Sequence, residues 1–463
     1  MLRNRAVILA AGEGTRMKSQ KPKVLAEVLY KPMIDWVIGC AFDAGFSPAD
    51  ICVVTGYGRE LLLPRLPNGV SAVVQERRLG TGHAVMQAGK FISGADANVL
   101  ILCGDAPFID SETVCRSLEH HTRAESAVTV ISAEVENPFG YGRIVRGGDG
   151  AFLKIAEEKE ASDLEKLIRE VNSGAYWFNA QALLLALDRL AADGLNGEKE
   201  YYLTDAVKIL RSAGYKTATF TSPSADCVLG ANDRVQLAGL NEIARQKVLH
   251  KHMLNGVSIP FADGVVIGPD AAIGADTEIM PGTVIIGASV IGAGCVIGPD
   301  SYAENSRIGD RVRFQRSWAQ GASVDSDSLI GPFARLRPGA SLGRSVKLGN
   351  FVEIKNSSVG DGTKIPHLTY IGDSDIGSGV NVGCGCATVN YTGRDKFRTV
   401  IENGAFIGCG TSLVAPVTVG ENAYTAAGST ITENVPANSL AIARVSQTVK
   451  KDWVIRKKPY SNR

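Results

Sequence analysis

Aliphatic side chains recur every six residues through the second half of the chain, a spacing that few folds accommodate. One run is Ile267, Ile273, Ile279, Ile285, Ile291 and Ile297, and another is Ile330, Leu336, Leu342, Leu348 and Ile354. An amphipathic helix requires a spacing of about three or four, and a half-buried strand a spacing of about two. Six-residue spacing predicts a solenoid in which each side of a triangular coil is one short strand and one tight turn.

Glycine often follows the repeated aliphatic residue, as in Ile267-Gly268, Ile273-Gly274 and Leu348-Gly349. We expect the aliphatic side chain to point inward and the glycine to allow the turn backbone its unusual angles. After phase slips the repeat returns at Val359, Ile365, Ile371, Ile376, Val382, Ile407, Leu413 and Val419. Hexapeptide solenoids of this type are left-handed parallel β-helices, an exception to the right-handed crossover rule.

Before the repeats, apolar runs typical of buried strands alternate with helical patterns. The strand-like runs are RAVILAAG, ICVVTG, SAVVQ and ANVLILCGD, and the helix-like segments are PMIDWVIGCAFDAG and TGHAVMQAGKFI. This alternation predicts a mostly parallel, Rossmann-like sheet covered by helices on both faces, with ligands at the carboxyl ends of the strands. The predicted fold class is therefore α/β followed by all-β.

The segment NDRVQLAGLNEIARQKVLHKH has apolar residues at helical steps and predicts a helix that connects two domains. Two cores are expected because 463 residues exceed what one hydrophobic core usually supports. The predicted segments are an α/β domain at residues 1–229, the connecting helix at 230–252, the β-helix at 253–437, and a basic tail at 438–463 that is free to fray or to pack on a neighbouring subunit.

Composition narrows the class of partner. With 49 basic and 48 acidic residues the net charge is +1, which argues against nucleic acid or a membrane surface and favours small metabolites. Nine cysteines without a CxxC pair suit a reducing compartment. The sequence has neither a secretory pattern nor an apolar run of roughly 18 residues, so we expect a cytoplasmic protein.

A glycine-rich turn follows the first strand, in the string AGEGTRMKSQKPKVL. Gly12 and Gly14 would let the backbone approach a phosphate, and Arg16 and Lys23 would place positive charge around it. The string lacks the GK[ST] ending of a Walker loop, and Met17 stands where a dinucleotide fingerprint needs its third glycine. A triphosphate is the ligand that fits, and a plain tight turn is the alternative.

The signature L-A-A-G-x-G-T-R-M followed by K-P-K resembles the sugar-1-phosphate nucleotidyltransferases. With LGTGHA at Leu79 to Ala84 and the hexapeptide repeats, nearly the whole chain resembles the bifunctional bacterial UDP-N-acetylglucosamine pyrophosphorylase / glucosamine-1-phosphate N-acetyltransferases. The resemblance implies acetyl transfer from acetyl-CoA to glucosamine 1-phosphate, then uridylyl transfer from UTP with Mg²⁺. It also implies a homotrimer whose CoA cleft is shared between subunits.

The resemblance assigns one set of residues to uridylyl transfer. Asp105 ends a buried strand, where a carboxylate is costly without a cation, although a helix or turn cap is the alternative. Cys103 stands where many relatives carry Tyr. The implied roles are Leu9, Ala10, Ala11, Gly12, Gln75, Gly80 and Thr81 on the uracil nucleotide, Arg16 and Lys23 as catalytic residues on its phosphates, Gly142, Glu157, Asn172 and Asn232 on the sugar, and Asp105 with Asn232 as Mg²⁺ ligands.

His367 is the one histidine that follows the connecting helix. A lone histidine is usually structural, but the resemblance makes His367 the general base that deprotonates the sugar amine. Cys384, Cys386 and Cys409 stand where relatives often have Ala, Thr and Ser, either near the acyl-donor cleft or as inert buried residues. The implied roles are Arg337 and Lys355 on the sugar phosphate, Tyr370 and Asn381 on glucosamine, Asn390 and Tyr391 at the amine, and Cys384, Asn390, Tyr391, Cys409, Ala427 and Arg444 at acetyl-CoA.

Two rival functions remain open at the level of sequence. The first is a nucleotidyltransferase with a single activity whose β-helix serves assembly or regulation, against which His367 and the pair Asn390-Tyr391 argue. The second is a non-catalytic scaffold that binds sugar nucleotides, which the presence of Arg16 and Lys23 disfavours.

Overall fold

The computed structural model describes residues 3–193 and 200–459. The chain divides into two compact units, Met1–Ala244 and Arg245–Arg463. Parts of two predicted segments, residues 1–2 and 194–199 of the first domain and 460–463 of the tail, lie outside the described residues. Within the described ranges, no helix is long and apolar enough to cross a membrane.

The first unit is built from short strands and helices that alternate along the chain. Its strands are β1 (Arg5–Ala10), β2 (Glu27–Val28), β3 (Lys31–Pro32), β4 (Ile51–Thr55), β5 (Ser71–Val74), β6 (Asn98–Cys103), β7 (Val128–Glu134), β8 (Arg143–Arg146), β9 (Phe152–Ala156), β10 (Glu170–Asn179) and β11 (Thr217–Thr221). Its helices are α1 (Met33–Asp43), α2 (Arg59–Leu62), α3 (Thr81–Gln87), α4 (Gly89–Ile92), α5 (Ser111–Arg123), α6 (Asp163–Lys166), α7 (Ala180–Asp193), α8 (Leu203–Ser212) and α9 (Arg234–Leu254), within which the division between the units falls.

Seven strands follow one another in the main sheet in the order β11-β7-β10-β6-β1-β4-β5, β8 joins the sheet by pairing with β10 and β9, and β2 and β3 pair separately. β10 is antiparallel to both of its neighbours, and the other pairs along this order are parallel, so the predicted mostly parallel sheet is confirmed. The segment TGHAVMQAGKFI, predicted as one helix-like element, forms two short helices instead. The break falls at Ala88, where φ is −85° and ψ is 7°, outside the helical range.

Both faces of the sheet are covered, as a parallel sheet requires. In β1, Ala6, Ile8 and Ala10 pack into one core with Val37 of α1, while Val7 packs into a second core with residues of α3, α7 and α8. Alternate residues of a strand point to opposite faces, so β1 is apolar from Ala6 to Ala10. Its carboxyl end, next to that of β6, is left open for a ligand.

The second unit consists of very short strands. They are β12 (Val266–Ile267), β13 (Ala272–Ile273), β14 (Glu278–Ile279), β15 (Val284–Ile286), β16 (Val290–Ile291), β17 (Val296–Ile297), β18 (Tyr302–Glu304), β19 (Arg307–Ile308), β20 (Arg313–Phe314), β21 (Trp318–Gln320), β22 (Ser323–Val324), β23 (Leu329–Ile330), β24 (Arg335–Leu336), β25 (Ser341–Leu342), β26 (Lys347–Lys355), β27 (Ser358–Val359), β28 (Lys364–Gly372), β29 (Ser374–Ile376), β30 (Asn381–Val382), β31 (Ala387–Val389), β32 (Thr399–Ile401), β33 (Phe406–Ile407), β34 (Ser412–Val414), β35 (Val417–Val419), β36 (Tyr424–Thr425), β37 (Thr430–Ile431) and β38 (Leu440–Ala441). A final helix, α10, spans Trp453–Lys457.

These strands stack in parallel as three faces of a β-helix. The first face runs β12-β15-β18-β21-β24-β26-β28-β31-β34-β37, the second runs from β13 through β16, β19, β22, β25, β27, β29 and β32 to β35, and the third runs β14-β17-β20-β23-β26-β28-β30-β33-β36-β38. The longer strands β26 and β28 belong to two faces, because they continue through the corner from the third face to the first. Val266 pairs with Val284 eighteen residues later, which equals three predicted six-residue repeats.

The repeated aliphatic residues fill the interior, as the spacing predicts. On the first face Ile285, Leu336, Ile354 and Ile371 are all buried in one column. The unusual turn angles predicted for the following glycines occur at Gly298 and Gly331, where φ is 107° and 96°, but not at Gly268, Gly274 or Gly349. Gly274 does not have a positive φ, and a Cβ there would lie 2.6 Å from the backbone nitrogen of Ala293 in the next coil. Gly274 and Gly349 therefore permit close approach of neighbouring backbones rather than unusual turn angles.

Candidate active sites

A cavity of about 360 Å³ lies at the carboxyl ends of β1 and β6. Eight residues predicted to bind nucleotide or metal line it, namely Leu9, Ala11, Gly12, Lys23, Gln75, Gly80, Thr81 and Asp105. Gly80 must be glycine, since its φ is +100° and a Cβ there would lie 2.5 Å from the backbone oxygen of Tyr201. Gln75 Nε2 donates to Gly80 O at 3.1 Å, which fixes the amide at the edge of the cavity.

Lys23 is the central charge of this cavity. Its ammonium forms a short ion pair with the Asp105 carboxylate and donates to Asn232 Oδ1 at 2.7 Å. The two predicted Mg²⁺ ligands thus face one shared positive charge. A carboxylate and an amide oxygen are donors that Mg²⁺ accepts, with water and substrate phosphate completing its coordination. Within the described residues no group of three or more His, Cys, Asp or Glu side chains could hold a metal by itself.

Three of the four residues predicted to bind sugar, Gly142, Glu157 and Asn172, lie around β8, β9 and β10, and the fourth, Asn232, lies beside Lys23. The backbone nitrogen of Asn172 donates to Gly142 O at 2.8 Å. A Cβ on Gly142 would lie 3.4 Å from Glu157 Oε2, so the glycine leaves room beside that carboxylate. Glu157 also accepts from Thr204 Oγ1 at 3.0 Å and lines a separate cavity of about 430 Å³.

Two predicted nucleotide residues do not line the nucleotide cavity. Ala10 has its side chain in the core on the α1 side of the sheet, and Arg16 is exposed in the short 3-10 helix Thr15–Met17. Arg78 also lines the cavity, although it was not predicted, and its guanidinium forms an ion pair with Glu13. The basic pair in QERRLGTG was the available signal.

Cys103, the departure from relatives at the end of β6, also lines the nucleotide cavity. Burial, and then the nearby Asp105 charge, raises the pKa of its thiol to about 12. Cys103 Sγ donates to Gly174 O at 3.4 Å. The thiol is therefore neutral at physiological pH and acts as a small packing group rather than a nucleophile.

In the second unit, four predicted residues occupy the corner between the third and first faces. His367, Cys384, Cys409 and Ala427 each follow the first residue of a third-face strand by three positions, on four consecutive coils. Backbone hydrogen bonds join these coils, from Gly410 N to Cys384 O at 2.7 Å and from Gly428 N to Cys409 O at 2.8 Å. We call these four residues the corner row. His367 and Cys384 are exposed.

A second group lies at the opposite end of the first face, next to the second face. Arg337 follows β24, Lys355 ends β26, and Asn390 follows β31. Lys355 pairs with Gly372 of β28. Tyr370 lies two residues before Gly372 in the same strand, so it is on the same outward side as Gly372. Asn390, predicted at the amine and at acetyl-CoA, therefore lies with the sugar-phosphate residues rather than in the corner row.

Other predicted residues lie around these two groups. Asn381 is on the third face, where it pairs with Lys364 and Phe406. Tyr391 is exposed and is bridged to Lys396 across the loop that follows β31. Arg444 follows β38, and its Cδ lies 3.8 Å from where a Cβ on Gly428 would be.

Two carboxylates near the sugar group were not predicted. Glu353 Oε1 accepts from Arg337 Nη1 at 2.9 Å. Asp373 is buried between Asn356 and Asn390. Neither has a motif of its own, and only the coil register places them beside predicted residues.

Comparison with known proteins gives matches in both units. Residues 5–225 match the Nucleotidyl transferase family, and residues 398–433 match the family described as Bacterial transferase hexapeptide (six repeats). The second family is consistent with the predicted left-handed β-helix, and the predicted fold class is confirmed.

Relatives match over nearly the full chain. A protein of Acetivibrio thermocellus is 47% identical over 452 residues, which cover 98% of this chain and 97% of the relative. One of Geobacillus sp. is 45% identical over 456 residues, 98% of each chain, and one of Brevibacillus brevis is 45% identical over 448 residues, 97% of this chain and 96% of the relative. Each of the three is named Bifunctional protein GlmU. Because this match runs through both units, the chain belongs to the GlmU family of bifunctional proteins.

Proposed function

We propose that the protein makes UDP-N-acetylglucosamine in two steps. It transfers the acetyl group of acetyl-CoA to glucosamine 1-phosphate, and then transfers the uridylyl group of UTP to the product, releasing pyrophosphate. The observation that carries this proposal is the full-length similarity to bifunctional relatives, in a chain whose two units each hold a cluster of predicted site residues.

We assign uridylyl transfer to residues 1–229, together with Asn232 of the connecting segment 230–252. Leu9, Ala11 and Gly12 supply backbone amides and small surfaces to the uracil nucleotide, and Gln75 pairs with the imide edge of the base. Gly80 and Thr81 complete the nucleotide site, with Ala10 contributing its backbone. Gly142, Glu157, Asn172 and Asn232 bind the sugar.

The reaction is an in-line displacement. A phosphate oxygen of N-acetylglucosamine 1-phosphate forms a bond to the α-phosphorus of UTP, and the bond from that phosphorus to the pyrophosphate oxygen breaks. Two anions must meet, so the protein's main task is to hold them in line and to neutralise charge. Lys23 and Arg16 supply positive charge. Lys23 turns from Asp105 and Asn232 towards the phosphate when the substrate binds.

Asp105 and Asn232 are the residues that would hold Mg²⁺. The fit rests on their donor atoms, since both oxygens already face the cationic Lys23 ammonium. When bound, Mg²⁺ neutralises phosphate charge and orients the triphosphate. Asp105 supplies the negative charge of the pair and Asn232 a neutral oxygen.

We assign acetyl transfer to residues 253–437. His367 accepts a proton from the sugar amine, the amine nitrogen bonds to the thioester carbonyl carbon, and the carbon–sulfur bond breaks to release coenzyme A. An imidazole nitrogen is a common general base for a proton transfer of this kind. Arg337 and Lys355 bind the sugar phosphate, and Tyr370, Asn381, Asn390 and Tyr391 position glucosamine.

The corner row continues the surface from His367 along three further coils, with Cys384, Cys409 and Ala427. Arg444 lies beside its last coil. A surface row of this length suits the extended pantetheine arm of acetyl-CoA. We further propose that the protein is a cytoplasmic homotrimer in which the CoA cleft is completed by a neighbouring subunit, and that the basic tail, as far as residue 459, packs against that neighbour.

Product analysis tests the proposal against its two rivals. Purified protein is incubated with glucosamine 1-phosphate, acetyl-CoA, UTP and Mg²⁺, and the products are identified by mass spectrometry. UDP-N-acetylglucosamine is expected. A protein with only nucleotidyltransferase activity would form it only when N-acetylglucosamine 1-phosphate is supplied, and a binding scaffold would form it from neither mixture.

A further inference from the structure

Asp373 is a buried carboxylate at the end of the first face, beside the proposed sugar site. Only 6% of the residue is exposed. Asn356 Nδ2 donates to its Oδ1 at 2.6 Å, and Asn390 Nδ2 donates to its Oδ2 in a short hydrogen bond. Burial favours a higher pKa for Asp373, but these hydrogen bonds and the charges of Lys355 and Lys396 outweigh burial and lower the pKa.

The ionised carboxylate fixes which way the Asn390 amide faces. A carboxylate without a proton only accepts hydrogen bonds, so the amide must turn its NH₂ group towards Asp373. The amide oxygen of Asn390 is then directed away from Asp373. A neutral partner in place of Asp373 could donate as well as accept, and it would let the amide turn over.

Gly372 brings the amide and a second predicted sugar residue together. A Cβ on Gly372 would clash with the hydroxyl of Tyr370 and would lie 2.9 Å from Asn390 Nδ2. Gly372 is not in the left-handed region, so the need for glycine here comes from space and not from backbone angle. Tyr370 and Asn390 therefore meet over one glycine, next to Lys355, which pairs with that glycine.

We infer that Asp373 is a positioning residue of the acetyltransferase site, which holds Asn390 so that its amide oxygen accepts a hydrogen bond from glucosamine 1-phosphate. The inference rests on the proposed function. It assigns Asp373 a role in binding the sugar and none in the transfer of the proton, because Asn390 and His367 lie at opposite ends of the first face.

A simple charge effect would act in the opposite direction. Asp373 is an anion close to the residues that bind the sugar phosphate, so removing its charge would by itself strengthen phosphate binding. Loss of Asn390 orientation would weaken it. The sign of the change in KM for glucosamine 1-phosphate therefore separates the two roles.

The experiment measures steady-state acetyl transfer by the whole chain. The rate is monitored through the free thiol of the coenzyme A that is released. We expect Asp373→Asn to raise KM for glucosamine 1-phosphate about tenfold to a hundredfold, the range for loss of a hydrogen bond to a charged group. Asparagine tolerates the left-handed backbone of this position, where φ is 49°. KM for acetyl-CoA should stay unchanged. The kcat should change less than about threefold, because the lost hydrogen bond stabilises the bound sugar and the transition state equally.

Asp327→Asn is the matched control. Asp327 also has a left-handed backbone, with φ of 64°, and it pairs with Arg311 Nε at 2.7 Å, but it lies at the corner between the second and third faces, two coils before β28. This variant should leave both KM values unchanged. Thermal unfolding monitored by circular dichroism measures the stability of every variant.

Two further variants keep the test decisive. In an Asn390→Ala background, Asp373→Asn should raise KM no further, since the positioned group is gone. Gly372→Ala, which leaves Asp373 in place, should also raise KM for glucosamine 1-phosphate by displacing Tyr370 and Asn390. It provides the readout if Asp373→Asn does not fold.

Three results would overturn the inference: an unchanged or lower KM in Asp373→Asn, an equal rise in both backgrounds, or an unchanged KM in Gly372→Ala. If the wild-type protein releases no coenzyme A with glucosamine 1-phosphate, the proposed function fails and the inference fails with it. Wild-type activity combined with any of the three results overturns the inference alone.

Discussion

At the residue scale, one side chain in each unit is expected to be needed for only one of the two proposed activities. Asp105 pairs with Lys23 in the first unit, and His367 lies on the β-helix of the second. We expect Asp105→Asn, which keeps the side-chain shape, to lower uridylyl transfer roughly 10²-fold or more and to leave acetyl transfer within about twofold. His367→Ala should do the reverse, with a loss of about 10²–10⁴-fold.

Both variants are tested in separate assays of acetyl transfer and of uridylyl transfer, and circular dichroism checks that they are folded. Loss of both activities in either folded variant would contradict the assignment of one site to each unit.

Cys384 offers a second test at the residue scale. Cys384 and Cys409 in the corner row are exposed, whereas Cys386 is buried and its Sγ donates to Gly408 O at 3.1 Å. Burial raises the pKa of Cys386, so that thiol should be inert. We expect a bulky maleimide to label Cys384, to block acetyl transfer, and to leave uridylyl transfer unaffected. Bound acetyl-CoA should protect Cys384 from the reagent.

Peptide mapping identifies the labelled cysteine, and the double variant Cys384→Ala with Cys409→Ala should resist the reagent. Cys115, exposed on α5 of the first unit, provides the control, since Cys115→Ser should remain sensitive. Labelling of Cys384 without loss of acetyl transfer would show that this departure from relatives affects only packing.

The sequence identifies site residues well where they belong to a local motif and poorly where they do not. Gly12, Gln75 and Gly80 fall within short recognisable strings, and the structure places them around one cavity. Asp373 is important only because the coil register brings Asn356 and Asn390 to its two oxygens from seventeen residues before and after it. Such a contact depends on the length of each coil. Phase slips in the six-residue repeat hide that length in the sequence.

At the scale of the element, the six-residue period predicts the inward residues of the β-helix but does not separate two uses of its glycines. Positive φ occurs at glycines such as Gly298 and Gly331, and also at corners occupied by other residue types, for example Asp327. Glycines such as Gly274 instead lie against the backbone of the next coil. The period alone cannot distinguish these reasons, because both place glycine beside a turn.

We therefore expect Gly274→Ala to destabilise the β-helix by about 1–3 kcal/mol, since its Cβ would overlap the Ala293 backbone. The control is Gly362→Asn. Gly362 has φ of +67° and open space around a Cβ, and asparagine tolerates that conformation, so its effect should be within about 0.5 kcal/mol. Urea unfolding followed by circular dichroism measures both, and equal midpoints for the two variants would disprove the explanation from close approach.

At the scale of the whole molecule, the two units differ in what a single chain supplies. The residues lining the nucleotide cavity, and Asn232 with them, lie within Met1–Ala244. The β-helix instead exposes large apolar side chains at its corners, with Phe333 stacked on Phe351 at 5.3 Å and the two residues 48% and 60% exposed. Exposed apolar groups of this kind favour association with another surface.

We predict that a fragment ending with α9, at Leu254, is a monomer that retains uridylyl transfer, while the full chain is a trimer. The reason is that the fragment keeps Lys23, Asp105 and Asn232 and lacks the β-helix through which the proposed trimer forms. Sedimentation velocity measures the mass of both proteins, and an assay with UTP, Mg²⁺ and N-acetylglucosamine 1-phosphate measures activity. The full chain bearing His367→Ala is the control, because it should remain trimeric and active in the same assay. A trimeric fragment would show that assembly does not depend on the β-helix, and a folded but inactive one would show that uridylyl transfer needs residues beyond α9.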